Sequence, residues 1–345
     1  MVKFRRGGGY RIRRIYMKRQ LRHRYEDVIS LENLLLAWKE FVSGKRTKPD
    51  VQEFGFHLMD NLVALHEELL QRTWSHGLYQ AFNISDPKPR NIHKASVRDR
   101  LLHHAIYRML YSFFDRVFIA DSFSCRIGKG THKALDRFRS FAYAASKNHI
   151  RTCWVLKCDI KKFFANIDHA ILFDILRQYI PDSNLMWLLE RVVGSFHSTR
   201  PGVGLPLGNL TSQLLVNVYM NEFDQFIKQR LRVKRYVRYA DDFVILSGSR
   251  EQLEFLVPCI QDFLWQRLRL TLHPDKVFIK TWASGIDFLG WVNFVDHRVL
   301  RTTTKHRMFK RVHEHPTAET VASYMGLLSH GNTHSLQERL PRHGS

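Results

Sequence analysis

Three acids stand where carboxylates are costly. Asp159 closes the apolar run Val155-Leu156-Lys157-Cys158-Asp159-Ile160. Asp241 and Asp242 interrupt Arg238-Tyr239-Ala240-Asp241-Asp242-Phe243-Val244-Ile245-Leu246. Adjacent carboxylates between apolar strand segments repel one another and resist desolvation. A divalent cation removes that cost. Mg²⁺ prefers hard oxygen ligands and keeps water and substrate phosphate in its shell. Two such ions, about 3.5–4 Å apart, can activate an attacking oxygen and stabilise a leaving one. Asp-Asp also suits a polar hairpin turn, so the dipeptide by itself leaves both readings open.

These acids need elements to position them. Residues 153–159 read as a short strand, and residues 235–247 alternate as a hairpin around Asp241-Asp242. A helix runs from Asp168, an N-cap, to about Tyr179, and another spans about 182–193. Gly202-Val203-Gly204-Leu205-Pro206-Leu207-Gly208 must be a loop, because three glycines and a proline would ruin a helix. The next helix carries Leu214, Leu215, Val218, Phe223, Phe226 and Ile227. Ser249 and Gln252 cap a helix that reaches about Leu268 with Pro258 inside it. Strands near 276–280 and 286–294 follow, then a basic, helical tail.

Upstream, Leu31, Leu34, Leu35, Trp38, Phe41 and Val42 recur at helical spacing, with Gly44 beyond them. A second helix begins near Asp50, with Asp50 and Glu53 as a capping box and Phe54, Leu58, Leu62, Leu65 and Leu69 on one face. Residues 78–95 read as strand, turn and strand, broken at Asp86-Pro87-Lys88-Pro89. A long helix over Val97 to about Phe118 starts at Ser96 and Asp99. After a loop over 121–130, another helix starts at Thr131.

The 345 residues hold 54 Lys and Arg against 32 Asp and Glu, a net charge of +22. Such an excess calls for a polyanionic partner, and nucleic acid is the commonest one. The basic residues are spread along the chain, unlike a membrane-surface helix. No apolar run is long enough to span a bilayer, and no secretory leader is expected. Four cysteines without a C-x-x-C pair fit a reducing, cytoplasmic setting. Residues 1–24 carry ten Lys and Arg and no acid. They read as a mobile arm, with Arg5, Arg6, Arg11, Arg13 and Arg14 as RNA-binding candidates.

The order strand-Asp, helix, Gly-rich loop, helix, Tyr-x-Asp-Asp hairpin, helix, strand resembles the palm of a reverse transcriptase. The likeness covers about residues 80–300. Pro89-Arg90 with Val97-Arg98-Asp99-Arg100 resembles the family's first motif, and Asp121-Ser122-Phe123-Ser124-Cys125-Arg126 with Gly130-Thr131-His132-Lys133 the second. Asp159 to His169 resembles the third, in its bacterial group-II-intron-like form. Gly204-Leu205-Pro206-Leu207-Gly208-Asn209-Leu210-Thr211-Ser212-Gln213 matches the fourth, and Tyr239-Ala240-Asp241-Asp242 the fifth. Lys276 and Phe288-Leu289-Gly290 match the sixth and the start of the seventh.

The resemblance implies an α/β right-hand polymerase fold. Its expected parts are an arm (1–26), fingers (27–150), palm (151–294, with a loop around 195–213) and a short helical thumb (295–345). It implies an RNA-directed DNA polymerase with Mg²⁺ in two-metal transfer, Mn²⁺ being an alternative. Asp159 and Asp241 would be the principal ligands, Asp242 a looser one, and the Ile160 carbonyl a further one. Phe164 would be the steric gate against ribonucleotides, with Phe163 as packing. Lys88, Arg90, Lys276, Gly208 and Gln213 would lie around the incoming dNTP. Asp168 and His169 read as structural.

Leu207 stands where many relatives of the family have Gln. That aliphatic residue resembles the enzymes of diversity-generating retroelements, which copy a template RNA with errors at adenines. A Gln amide can hydrogen-bond a nucleotide or its neighbours, and Leu cannot. The same resemblance implies a primer or cDNA strand, a small basic oligomeric accessory protein and no membrane. Alternatives are an intron-like or phage-defence reverse transcriptase, or a non-catalytic RNA-binding protein of this shape.

Overall fold

The computed structural model of the chain describes residues 19–84 and 89–341. The expected mobile arm ends earlier than read: Leu21 is buried and its amide donates to Tyr179 O at 2.7 Å, so long-range packing holds the stretch before α1. Its first helices are α1 (Tyr25–Ile29) and α2 (Leu31–Phe41), and Ser30 caps the second by accepting from the Asn33 amide. The single helix expected from Asp50 is instead two, α3 (Pro49–Phe56) and α4 (Leu58–Leu70), broken at His57. Asp50 caps neither. Pro49 opens α3, where a missing N–H costs nothing. The Asp50 carboxylate lies 2.6 Å from both Lys94 Nζ and Arg100 Nη2. Two charged donors outcompete a backbone amide for it.

A hairpin follows, β1 (Gln80–Ile84) with β2 (Arg90–Lys94), paired from Gln80↔Lys94 to Ile84↔Arg90. Ser96 accepts from the Asp99 amide at 3.1 Å and starts α5 (Val97–Asp115), three residues shorter than the periodicity predicts. Next comes α6 (Thr131–Ser146) and then β3 (Trp154–Asp159). The middle of the chain supplies α7 (His169–Arg177), α8 (Ser183–Gly194) and α9 (Leu210–Gln225), the last running into a π turn over Phe226–Arg230.

The hairpin β4 (Tyr236–Tyr239) and β5 (Asp242–Ser247) lies where expected. After it, α10 (Arg250–Leu268) leads to β6 (Phe278–Thr281). These strands form one antiparallel sheet in the order β4-β5-β3-β6. The strand expected over 286–294 folds back on itself. Leu289 (φ +53°) and Gly290 (φ +87°) both take left-handed backbone, as a two-residue type I′ turn requires. The result is β7 (Ile286–Phe288), β8 (Trp291–Asn293) and an unexpected β9 (Arg298–Leu300) in a separate three-stranded sheet. The chain then forms α11 (Thr302–Glu314), α12 (Ala318–Leu328) and α13 (His334–Gln337).

Two apolar cores sandwich the four-stranded sheet, because strand side chains alternate between faces. Leu156, Cys158, Phe243 and Ile245 join the core built with α1 to α5 and α7 to α10. Val155, Val237, Val244 and Leu246 join the other, with α6, the three-stranded sheet and α11 to α13. No described helix is long and apolar enough to cross a membrane.

The first core contains a histidine that stays neutral. His103 is buried, and neither ring nitrogen has a hydrogen-bond partner. Burial, with the nearby charges of His76, His104 and Arg100, pushes its pKa from 6.5 down to about 3. The unfolded chain therefore takes up a proton that the folded chain refuses. This stabilising contribution is full above pH 6.5 and falls as the pH drops toward about 3, at about 1.4 kcal/mol per pH unit. Urea unfolding of His103→Leu, compared between neutral and mildly acidic buffer, should show a pH slope smaller by roughly one proton. A slope equal to that of the wild type would refute a neutral buried His103.

Candidate active site

The register of β3 against β5 places Asp159 directly opposite Asp242. Directly opposed residues of an antiparallel pair project from the same face, with Cβ atoms about 4.5–5.5 Å apart. Tyr239 pairs with Asp242, so Ala240 and Asp241 are the whole of the hairpin loop. Ala240 adopts φ +54°, a left-handed conformation that costs an L residue roughly 1–2 kcal/mol. The Asp241 carbonyl accepts from the Ile160 amide at 3.1 Å. That bond ties the hairpin tip to the residue after Asp159. Three carboxylate residues from two distant segments thus meet at one end of the sheet.

Two lysines compensate this charge. Lys157, two residues before Asp159 and therefore on the same face, is buried with Nζ 3.0 Å from Asp242 Oδ1. Lys276 follows α10 in a 3₁₀ turn and places Nζ 2.9 Å from Asp159 Oδ1. Burial pushes the Asp242 pKa up to about 7, opposed by Lys157 and reinforced by Asp241 and Asp159. The Lys157 contact is an ion pair without good hydrogen-bond direction, since Asp242 Oδ1 is buried and accepts no hydrogen bond.

Among the described residues, no three His, Cys, Asp or Glu side chains already converge as a metal cage. The donor set nonetheless suits a hard divalent cation. It is all carboxylate, and it includes a buried oxygen that lacks a hydrogen-bond donor. A cation there would take over compensation that the two lysines supply.

A second group of residues follows Asp159 in the chain. Phe163 is buried, whereas Phe164 is half-buried at the start of a 3₁₀ turn over Phe164–Asn166. The Gly-rich loop is stitched to this turn. Gly204 N donates to Ile167 O and Leu205 N to Phe164 O, both at 2.8 Å. Ser198 Oγ donates to Ala165 O at 2.6 Å. The His169 ring contacts Gly204 O through Nε2 at 2.7 Å, and Asp168 caps α7, so both are structural as expected. Beyond, the His93 amide donates to Leu207 O at 3.1 Å, and Asn209 Nδ2 donates back to His93 O at 3.2 Å. The loop therefore bridges the β1–β2 hairpin to the central sheet.

The structure brings Asp159, Ile160, Asp241, Asp242 and Lys276 together. It sets Phe164 and the loop bearing Leu207 and Gly208 next to each other, with Gln213 half-buried in the first turn of α9. Arg90 is exposed at the start of β2. Lys88, Arg5, Arg6, Arg11, Arg13 and Arg14 lie outside the described residues. Sequence reasoning missed Lys157 and Arg238. Each is a long cation inside an apolar strand, two residues from a turn or an acid, and that parity was the available signal.

Residues 85–292 match the family described as reverse transcriptase (RNA-dependent DNA polymerase). The chain is 26% identical over 286 residues to Protein YkfC of Escherichia coli strain K12, covering 71% of this chain and 72% of that one. It is also 26% identical over 282 residues to the group II intron-encoded protein LtrA of Lactococcus lactis subsp. cremoris. That match covers 61% of this chain but only 45% of LtrA. A solved structure of telomerase from Candida albicans, in complex with a fragment of telomeric RNA, superposes with a TM-score of 0.50 at 11% identity. It covers 67% of this chain and 46% of the telomerase chain, a likeness of fold. The sandwich of helices around an antiparallel sheet is that of the right-hand polymerases.

The loop geometry makes one substitution severe and its neighbour mild. Gly204 has φ +106°, and a Cβ there would lie 2.6 Å from Ser198 Cβ and 3.0 Å from the Ser198 amide. Gly202 has φ +74° with nothing within 4 Å of such a Cβ. Gly202→Ala should cost roughly 1–2 kcal/mol from the backbone alone. Gly204→Ala should cost roughly 2 kcal/mol more, from overpacking against backbone. Denaturant unfolding checks the order, and equal losses would contradict it.

Proposed function

The chain belongs to the reverse transcriptase family, the RNA-dependent DNA polymerases, and on that premise we propose that Asp159, Asp241 and Asp242 are the carboxylates with which it copies a template RNA into cDNA. The strand register carries this reading. It sets Asp159 opposite Asp242, with Asp241 in the intervening turn bonded to Ile160. Asp159, Asp241 and the Ile160 carbonyl would hold two Mg²⁺ ions, with Asp242 as the looser ligand and Mn²⁺ as a substitute. When bound, such ions lower the pKa of an attacking hydroxyl and stabilise the departing pyrophosphate.

The chain's own side chains do the rest. Phe164, half-buried beside the buried Phe163, would serve as the steric gate against a ribose 2′-hydroxyl. Lys276 would exchange its contact with Asp159 for a triphosphate oxygen, and Lys157 holds Asp242 from within the sheet. Lys88 and Arg90, on either side of Pro89, would meet the triphosphate from the hairpin, with Gly208 and Gln213 backing the base pair. Arg5, Arg6, Arg11, Arg13 and Arg14 would hold RNA phosphates. The expected divisions 27–150, 151–294 and 295–345 would serve as fingers, palm and thumb, with the first moved to the start of α1 at Tyr25 and the last beyond β9, which pairs with β8.

Within the family we read the chain as a diversity-generating enzyme, error-prone at template adenines and working with a small basic accessory protein. Leu207 supports this. Its carbonyl is tied to His93, and its side chain offers no polar group beside the loop. The intron-encoded relative favours a second reading, a more accurate group-II-intron-like copying enzyme.

Primer extension on an RNA template with dNTPs and Mg²⁺ tests these roles. Asp159→Ala or Asp241→Ala should lower the rate by roughly 10³-fold or more, since several kcal/mol of charge stabilisation are at stake, while RNA binding persists. Normal extension by either variant would remove the carboxylate assignment. Sequencing the cDNA should show errors concentrated at template adenines, reduced in Leu207→Gln. Accurate cDNA from the wild type would select the intron-like reading.

A further inference from the structure

Directly behind the Ala240-Asp241 turn lies a fully buried ion pair that none of the roles above uses. Arg238 and Asp224 are both 0% exposed. Arg238 Nε donates to Asp224 Oδ1 at 2.8 Å and Nη2 to Asp224 Oδ2 at 2.7 Å, a two-point contact. Tyr236 Oη donates to the same Asp224 Oδ1 at 2.7 Å. The guanidinium has donors left over, and they leave the pair. Nη1 reaches Ala240 O at 3.1 Å and Asn217 Oδ1 at 3.2 Å. Nη2 also reaches Ser122 Oγ at 3.0 Å.

We infer that Arg238 is a positioning residue that latches the catalytic turn, an inference that rests on the carboxylate assignment above. Ala240 holds a left-handed backbone without glycine's freedom, so something must hold it there. Arg238 Nη1 does so through the Ala240 carbonyl. With that carbonyl fixed, Asp241 is set so that its own carbonyl meets the Ile160 amide, and Asp242 enters β5 opposite Asp159.

The latch is anchored on three sides. Asp224 belongs to α9, and Asn217, also on α9, donates through Nδ2 to Ser124 O at 2.9 Å. Ser122 lies in the loop between α5 and α6, bridged to Arg238 as a short parallel strand contact. That loop is held in turn by Arg126, which donates to Ile119 O at 2.7 Å and to Ser122 O at 2.9 Å. The turn is thus registered against α9 and the α5–α6 loop, independently of anything bound at the acids. An ammonium at this position could keep one contact to Asp224 but not the fork that reaches Ala240, Asn217 and Ser122 together.

Two variants separate positioning from plain stability. Arg238→Lys keeps the charge and loses the fork. The triple variant Asp224→Leu, Tyr236→Phe and Arg238→Met removes the buried pair, a replacement that such pairs often tolerate, together with the guanidinium contacts to Ala240, Asn217 and Ser122. Both should melt within a few degrees of the wild type and bind a primer–template duplex with unchanged Kd. Both should slow single-turnover nucleotide addition roughly 100-fold, as misplacement of reacting groups by about 1 Å does, with KM for dNTP within about threefold. Hydrogen exchange should quicken at the Ile160 amide and not across the rest of the sheet.

A folded triple variant with wild-type addition rate and Ile160 protection would overturn the latch. So would loss of rate only in proportion to loss of folded protein. If the wild type itself extends no primer, the polymerase reading fails separately, and Ile160 exchange in the two variants still decides whether Arg238 holds the turn.

Discussion

The governing constraint is electrostatic. Asp159, Asp241 and Asp242 must be brought to one end of a sheet whose strands β3, β4 and β5 are mostly buried. Like charges so placed repel, and burial adds to the cost, as the upward displacement of Asp242 to about 7 records. The fold answers with cations drawn from elsewhere in the chain. Lys157 comes from within β3, and Lys276 from the 3₁₀ turn that precedes β6. Lys157 and Lys276 thus sit where positive charge offsets the carboxylates.

Rigidity is the second requirement, and the buried polar groups supply it. Arg238 and Asp224 make little sense as stability alone, since taking two charges out of water costs about what their attraction returns. They make sense as geometry. A planar fork with several donors fixes directions that apolar packing leaves loose. The Gly-rich loop serves the same end on the other side, joining His93 of the hairpin to the turn that carries Phe164.

The overall charge fits this arrangement. A surplus of +22 on a 345-residue chain would suit a polyanionic partner such as nucleic acid. Exposed cations such as Arg90 sit on the hairpin beside the loop, whereas the buried ones, Lys157 and Arg238, are consumed by internal acids. Two populations of basic residues thus serve two purposes, and composition cannot tell them apart.

Much of the fold was legible in the residues. The apolar run in 153–159 and the alternation in 235–247 named β3, β4 and β5, and Ser96, Asp168 and Ser249 marked helix starts, because side-chain capping is a local interaction. The acids stood out only through their order among the neighbouring motifs, since Asp-Asp by itself also suits a polar turn. Asp50 misled, because its partners Lys94 and Arg100 are some 50 residues away and invisible to a local rule. The strand over 286–294 misled because Leu289, a residue that seldom takes positive φ, makes the turn. By itself the sequence determined which residues could do chemistry and which elements carry them. Only the tertiary structure decided that Asp159 faces Asp242, that Lys157 and Lys276 neutralise them, and that Arg238 braces the turn. Register and long-range charge pairing depend on contacts between distant segments, which no local pattern encodes.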